Sequence, residues 1–359
     1  MVFEKIKLVN KMKQIVIVLF SIAVLISCKK KMEHNNIEHK MLNINYPAAY
    51  VVNGQGNNIS VINLNTDQVQ DVIDLNGAKF PHHIYLSPDK KWLAVAITST
   101  DLSQGHSGHS GNTVSGYKIQ IINSTTGMVE HEIPLSKMPH NAIFSPDGKE
   151  LWLAQPDTPT SKIHIYSTST WNEIAFIESG ENTSEVTLSA DGKWFCVANT
   201  GMNGTAMMFY PDQKKIQCSA PTGSMPVGVW PGTAKYSYVD NEESKTISEF
   251  DLDGDTISAT INLGFKPGYI AYRSNGEMWV SDATNGKVVY FERLNNIWTK
   301  SGETITGSNA HAIAFNTTET KAYITNQDDD NVTIIDMSNH TVIKTINVGS
   351  KPNGIVFKN

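Results

Sequence analysis

The stretch that decides the fold is AYITNQDDDNVTIID, residues 322–336. It contains two runs in which apolar and polar residues alternate, separated by polar residues that favour a tight turn. A third run, VIKTI, follows at residues 342–346, and KPNGI at residues 351–355 begins the next unit. Alternation with a period of two is typical of half-buried β-strands. A unit this small cannot bury its own apolar face, so we expect it to stack on copies of itself.

Copies of this unit run along the chain and align by a four-residue leading segment, which recurs about every 41 to 44 residues. One longer interval carries an insertion. A seventh leading segment, residues 352–355, stands at the C-terminus, whereas residues 49–53, 59–63 and 68–73 form three strand-like runs that lack one. One unit is therefore split between the termini. The other leading segments are residues 81–84, 139–142, 183–186, 226–229, 267–270 and 310–313.

This spacing predicts an all-β fold, a single seven-bladed β-propeller of four-stranded blades over residues 45–359. Pairing of the C-terminal strand with the three N-terminal strands would close the ring and leave no open sheet edge. After residue 41, no run of eleven or more residues has helical periodicity.

The strand sequence resembles that of the YVTN-repeat propellers, with the best copies at residues 322–326 (AYITN) and 50–53 (YVVN). The resemblance covers nearly all of the chain after the N-terminal region. It implies the fold but not the function, because that family includes binding proteins, scaffolds and a few enzymes.

The first 27 residues are typical of a secretory signal, since four lysines precede an apolar run at residues 15–26 that is too short to span a bilayer. The run ends in Leu25-Ile26-Ser27-Cys28, which resembles a bacterial lipobox and implies cleavage before Cys28 and lipidation of that cysteine. The alternative is a cleaved signal in which the cysteine has no role. Residues 28–44 are polar and predict a flexible tether. We expect a bacterial envelope protein held on the membrane by lipid, facing the periplasm or the cell surface.

The charge of the chain argues against a nucleic-acid partner. The full chain has a formal charge of −6, and removing residues 1–27 removes four lysines and one glutamate, so −6 − 3 gives −9. An acidic domain lacks the basic footprint that nucleic acids require. We expect a monomer whose partner is a small molecule, a metal or another protein.

Histidines gather where the loops of a propeller converge. The loop into an inner strand and the loop between the second and third strands open on the same face of each blade, so they surround one mouth of the channel. The second residues of the seven leading segments are His82, His140, Ser184, Val227, Gly268, His311 and Asn353. His83 follows the first of them, and the long insertion in the same blade carries His106 and His109. Neutral imidazole suits copper and zinc.

We therefore predict that six histidines face one cavity and hold copper or zinc: His82, His83, His106, His109, His140 and His311. The alternative is that each histidine bonds the neighbouring blade or channel water. Three further candidates for ligand binding stand at the second or third position of a leading segment: Glu185, Asn141 and Asn353.

The histidine pair followed by Ile-x-x-Ser-Pro-Asp also resembles two families of propeller enzymes. One is the N-terminal domain of nitrous oxide reductase, where histidines at the mouth hold a copper cluster. The other is the haem d1 domain of nitrite reductases, which uses an axial histidine. The mouth predicted here has six histidines where the first enzyme uses seven, and the sequence shows neither the cupredoxin domain of that enzyme nor a c-type haem motif. The resemblances therefore imply the place of a site and not an activity.

Three functions remain open. The first is a binding module with its ligand at the mouth. The second is a metal- or cofactor-dependent enzyme, either oxidoreductase-like or similar to lactonase propellers, which use a carboxylate-lined mouth. The third is a protein-interaction scaffold. No nucleophile–base–acid set is visible, so no catalytic residue is assigned. A metal site requires three imidazole nitrogens able to approach one point within about 2.0–2.1 Å.

Overall fold

The computed structural model describes residues 41–103, 116–201 and 203–359. These residues form seven four-stranded antiparallel sheets arranged as a seven-bladed β-propeller, as predicted. None of the described residues belongs to a helix that could cross a membrane.

Each blade contributes four strands, numbered here in chain order. Blade 1 consists of β1 (Ala48–Asn53), β2 (Asn58–Asn63), β3 (Gln68–Asp74) and the C-terminal β28 (Pro352–Lys358). Blade 2 consists of β4 (Pro81–Leu86), β5 (Trp92–Ile97), β6 (Lys118–Asn123) and β7 (Val129–Pro134). Blade 3 consists of β8 (Ile143–Phe144), β9 (Glu150–Gln155), β10 (Lys162–Ser167) and β11 (Glu173–Glu178). Blade 4 consists of β12 (Thr183–Leu188), β13 (Phe195–Asn199), β14 (Thr205–Tyr210) and β15 (Lys215–Pro221). Blade 5 consists of β16 (Pro226–Pro231), β17 (Tyr236–Asn241), β18 (Thr246–Asp251) and β19 (Thr256–Asn262). Blade 6 consists of β20 (Ile270–Tyr272), β21 (Met278–Asp282), β22 (Lys287–Leu294) and β23 (Ile297–Ile305). Blade 7 consists of β24 (Ala310–Phe315), β25 (Lys321–Asn326), β26 (Asn331–Asp336) and β27 (Thr341–Asn347).

The ring closes by pairing the two ends of the chain. Strand β28 lies antiparallel to β1, with Ala48 opposite Lys358 and Asn53 opposite Pro352. The predicted split blade is therefore confirmed, and no blade depends on a partner molecule for its inner strand.

The chain joins the propeller slightly before residue 45, its predicted start. The backbone N–H groups of Leu42 and Ile44 donate to the carbonyls of Thr126 and Thr125 in blade 2. Ile44 is fully buried. The apolar side chains at positions 42 and 44 explain the difference. They pack against the propeller, whereas the residues of a solvated tether would be polar. The rest of the predicted tether, Cys28 and the predicted signal lie outside the described residues.

Burial between blades holds the ring together. All six residues of β1, the second strand of blade 1, are buried, whereas the outermost strand β3 alternates between exposed and partly buried residues, apart from the buried Ile73. The second strand of a blade is covered on both faces by the neighbouring blades, so its residues are mostly apolar. At the boundary of blades 3 and 4, the ring of Trp152 stacks on Phe195 with centroids 3.9 Å apart.

Turns between the third and fourth strands form a second link between blades. One residue in these turns takes a positive φ, 51° at Asp67 and 49° at Lys214. Its side chain reaches back to the preceding blade: Asp67 accepts a hydrogen bond from Tyr323 Oη at 2.7 Å, and Lys214 Nζ lies 2.7 Å from Glu150 Oε1. The turn chemistry therefore serves packing between blades.

We predict that Trp152→Ala lowers the free energy of unfolding by about 3–5 kcal/mol, because it removes a large side chain that is 0% exposed and stacked across two blades. The matched control is Phe176→Ala on the outer strand β11, where the ring is 52% exposed. Its effect should stay within about 0.5 kcal/mol. Urea denaturation of both variants measures this, and equal losses would contradict the packing described.

Candidate metal centre

A bulge at the start of several inner strands brings consecutive side chains toward the channel. In β4, Pro81 pairs with Ile97 and Ile84 with Val95, so His82 and His83 together oppose a single residue. A bulge of this kind re-aims side chains that would otherwise point to opposite faces of the sheet. The two imidazole rings accordingly lie edge to face, with centroids 4.3 Å apart.

His140 of blade 3 completes a compact group of three imidazoles. Its Nε2 lies 3.0 Å from Nε2 of His82. Its ring centroid lies 4.3 Å from that of His82 and 5.0 Å from that of His83. One nitrogen from each of the three rings lies within 4.8 Å of the others. The three residues are only 2%, 4% and 3% exposed, so the group is shielded from bulk solvent.

Asn353 and Glu185 each contact ring nitrogens of these histidines. Nδ2 of Asn353 lies 2.6 Å from Nδ1 of His82. Oε1 of Glu185 lies 2.7 Å from Nδ1 of His140 and 2.9 Å from Nε2 of His83. One nitrogen of every ring is thus engaged by an amide or a carboxylate. The other nitrogens of His82 and His140, both Nε2, lie within hydrogen-bond distance of each other, and the other nitrogen of His83 is Nδ1.

Glu185 is a buried carboxylate at the centre of this network, with an exposure of 1%. Burial alone would raise its pKa, but the charge and the hydrogen bonds of His83 and His140 hold the pKa well below its ordinary value. Its second oxygen, Oε2, has no hydrogen-bond partner among the described residues. The carboxylate is therefore ionised at neutral pH and acts on two imidazoles at once.

The negative charge of Glu185 acts on two buried tyrosines, Tyr85 and Tyr269. Burial raises the pKa of both Tyr85 and Tyr269, and the negative charge of Glu185 raises both further. Both phenols are neutral at physiological pH. A cavity of about 10 Å³, the size of one water molecule, is lined by His82, Asp101 and Lys351, among other residues.

Other predicted residues take different places. His311 is more distant from the group, with its ring centroid 6.3 Å from that of His82 and 6.1 Å from that of His83. Asn141 joins blades 3 and 4, since its Nδ2 donates to the carbonyl of Val186 at 2.9 Å and its Oδ1 accepts from the Val186 N–H at 3.1 Å. His106 and His109 lie outside the described residues.

Sequence reasoning did not find the role of Asp240. This fully buried carboxyl accepts hydrogen bonds at Oδ1 from the Gly228 N–H and from Nε1 of Trp230, each at 2.8 Å. Thr325 does the same in blade 7, where its Oγ1 accepts from the Ala312 N–H at 2.9 Å. A polar residue just before the last residue of a second strand was the pattern that could have identified it.

Comparison with known proteins supports the fold. No protein-family model matches the chain, and no curated protein matches it in sequence. Among solved structures, a functionally unknown protein from Desulfotomaculum acetoxidans has a TM-score of 0.69 at 15% identity, over 86% of this chain and 98% of its own. The periplasmic gluconolactonase PpgL of Pseudomonas aeruginosa has a TM-score of 0.66 at 15% identity, over 87% and 99%.

A third similar structure is the dihydro-haem d1 dehydrogenase NirN in complex with DHE, with a TM-score of 0.61 at 11% identity, over 86% of this chain and 74% of its own. Identities this low show a shared fold and nothing of a shared activity.

We predict that Glu185→Gln destabilises the folded protein by about 3 kcal/mol at pH 7, because it removes one partner of a buried charged network. The pKa of Glu185 is lower in the folded protein than in the unfolded chain, so its ionisation stabilises the fold at higher pH. This stabilisation is lost as the pH falls below the ordinary carboxyl value of 4.5. The difference between wild type and variant should therefore shrink in acid.

Urea denaturation at pH 7 and pH 4 measures the effect. The control is Glu178→Gln, which changes an exposed carboxylate and should have almost no effect at either pH. A penalty for Glu185→Gln that is independent of pH would contradict the charged network.

Proposed function

We propose that this propeller is an extracytoplasmic binding module that holds a transition-metal ion, copper or zinc, at its channel mouth. The observation that carries the proposal is the convergence of three buried imidazoles. One nitrogen of each ring contacts a carboxylate or an amide of another residue. His82, His83 and His140 would supply the ligands. Glu185 and Asn353 would orient them.

The pattern of hydrogen bonds favours metal binding over a purely structural role. Metal-binding histidines usually bond a carboxylate or a carbonyl through the nitrogen that does not face the metal, and this fixes the ring. Glu185 does so for two rings. Asn353 can do so for His82, because its Oδ1 has no partner among the described residues and a turn of the amide would place that oxygen on Nδ1–H.

The distances require only small adjustments. Two nitrogens 3.0 Å apart, each about 2.0–2.1 Å from one ion, subtend an angle of roughly 95° at the ion. Ligands of one ion lie at most about 4.2 Å apart, so a group within 4.8 Å must close by less than an ångström.

The other hypotheses have less support. A tetrapyrrole needs a broad exposed face at its axial ligand, whereas His82, His83 and His140 are at most 4% exposed. A lactonase-like centre needs an available carboxylate, and Oε1 of Glu185 already contacts two imidazoles. A scaffold predicts histidines that point apart, each with its own partner.

Location at the cell envelope belongs to the same proposal. The N-terminal residues have the composition of a secretory signal that ends at Cys28. One of the similar structures is named as a periplasmic protein. Lipidation of Cys28 and membership of the YVTN-repeat propellers are part of this hypothesis.

The proposal predicts one tightly held ion per chain. The full chain, purified in detergent and freed of metal with a chelator, would be exposed to copper or zinc, desalted, and analysed by mass spectrometry for bound metal. The triple variant His82→Ala, His83→Ala and His140→Ala should lose about one equivalent.

A histidine far from the site gives the control. His131 is exposed on the outer strand β7, so His131→Ala should retain the ion. Circular dichroism would establish that each variant is folded. Equal metal retention in a folded triple variant would refute the site.

A further inference from the structure

From the face of the propeller opposite the histidine mouth, we infer that this face rests on a lipid bilayer, with the apolar tip of one hairpin inserted among the headgroups. The candidate metal site then faces away from the membrane. The inference rests on the proposed anchoring through Cys28 and adds the orientation of the anchored domain. The face in question, here called the base, is formed by the turns between the first and second strands and between the third and fourth strands of each blade.

The chain joins the propeller on the base. The backbone N–H groups of Leu42 and Ile44 donate to the turn between the third and fourth strands of blade 2. Met41, just before them, is exposed. It lies thirteen residues beyond Cys28 (41 − 28), so the two are at most about 45 Å apart even with the chain fully extended. A lipid on Cys28 would therefore hold the propeller by its base.

One hairpin of the base is longer than the others. Strands β22 and β23 of blade 6 have eight and nine residues, whereas the third and fourth strands of the other blades have six or seven. At the mouth the ladders match, since Lys287 pairs with Ile305 as Asn331 pairs with Asn347 in blade 7. The extra length is therefore on the base, where two further cross-strand pairs lengthen the hairpin by roughly 7 Å.

The tip of this hairpin is apolar. Leu294 is 57% exposed and Ile297 is 67% exposed, and the two residues are directly opposed across the ladder. Directly opposed side chains lie on the same face of a ladder, so they form one apolar patch. Asn295 and Asn296 connect them with φ values of 51° and 63°, as a two-residue turn of type I′ requires.

The other face of the hairpin is fixed to blade 5, so the exposure of the tip does not come from fraying. Arg293 and Trp298 form the cross-strand pair next to the tip, and a nitrogen of each lies 2.9 Å from Oε2 of Glu249. Glu249 is fully buried. Because successive side chains of a strand point to opposite faces, these inward contacts set the apolar pair of the tip outward.

The point where the chain enters and the long hairpin are on opposite sides of the base. Blade 2 receives the chain and blade 6 carries the hairpin; blades 1 and 7 separate them on one side and blades 3 to 5 on the other. A lipid anchor supplies the membrane affinity, and a second contact across the base sets the orientation. That contact can be weak, because the tether keeps the base at a high local concentration near the bilayer.

The insertion of apolar side chains, and not the attraction of charges, is the expected mode of contact. Lysines in three turns of the base are each held by an aspartate, in the pairs Lys149–Asp147 (3.2 Å), Lys193–Asp191 (2.9 Å) and Lys235–Asp251 (3.3 Å). Paired charges attract anionic headgroups weakly. The contact should therefore form on neutral lipid and persist at high salt.

The lipidated full chain in phosphatidylcholine vesicles provides the test. A spin label would be attached through Asn296→Cys at the hairpin tip, or through Thr284→Cys at the mouth end of the same blade. Both chains would carry Cys218→Ser, whereas Cys196 is fully buried and is kept. Relaxation of the label by oxygen, which concentrates in bilayers, would be compared with relaxation by a water-soluble nickel chelate.

We expect the ratio of oxygen to nickel accessibility at position 296 to exceed that at position 284 at least about threefold, because inserted residues lie about 5–10 Å into the interface. The ratio should not change in about 1 M salt.

A variant then removes the apolar pair alone. Leu294→Ser with Ile297→Ser should lower the ratio at position 296 to that at position 284. The label is present in both chains, so its own affinity for lipid cancels. The matched control is Val342→Ser with Ile343→Ser, which removes two exposed apolar side chains from the outer strand β27 and should leave the ratio unchanged. Circular dichroism would establish that each variant is folded.

The outcomes separate this inference from the proposals before it. A chain that carries no lipid on Cys28 by mass spectrometry and does not float with the vesicles would refute the anchoring and the orientation together. A chain that floats but has equal ratios at positions 296 and 284 would leave the anchoring standing and overturn the orientation. A high ratio that survives loss of the apolar pair would overturn the role of the hairpin tip. Metal retention by the floated chain is measured separately, so the metal site is judged on its own.

Discussion

Much of the site depends on one backbone feature, the bulge at the start of the inner strand β4. An inner strand is covered on both faces, so regular alternation would bury its successive side chains between blades. The bulge in β4 instead sets His82 and His83 against one residue of β5 and turns both rings to the same group. The same irregularity recurs in β12, β16 and β24. In these four blades the fold therefore offers two side-chain positions at the mouth, whereas His140 lies just before β8, whose pairing with β9 shows no bulge.

A bulge also creates N–H groups that the ladder does not satisfy, and the sequence meets this need with side chains. The N–H of Val186 donates to Asn141 Oδ1, that of Gly228 to Asp240 Oδ1, and that of Ala312 to Thr325 Oγ1. Unpaired buried N–H groups are costly, so these acceptors stabilise the bulges. The polar residues around the mouth thus divide into those that hold the backbone and those that face the channel.

Much of this arrangement could be predicted from the sequence because a repeat transfers position from one blade to the next. The aligned positions of the leading segments brought together His82, His83, His140, Glu185 and Asn353, and in the structure these residues contact one another. The aligned positions carry no information on side-chain rotation. They therefore could not show that Glu185 reaches two imidazoles, that His311 lies further out, or that Asn141 turns to the next blade.

The ring is symmetric in its backbone and one-sided in its chemistry. Blades 2 and 3 carry the three imidazoles, blade 1 the amide of Asn353, and blade 4 the carboxylate that joins two of the imidazoles. On blade 5 a side chain at Gly228 is excluded, because its Cβ would lie 2.8 Å from the indole of Trp230, which in turn packs on Tyr269 at 3.9 Å. Aromatic side chains thus occupy the side of the channel opposite the histidines, and the polar groups of the candidate site lie on one wall of the channel. Since the propeller needs only the bulge and the contacts between blades, those few wall positions are free to differ between proteins that share 11–15% identity and the same fold.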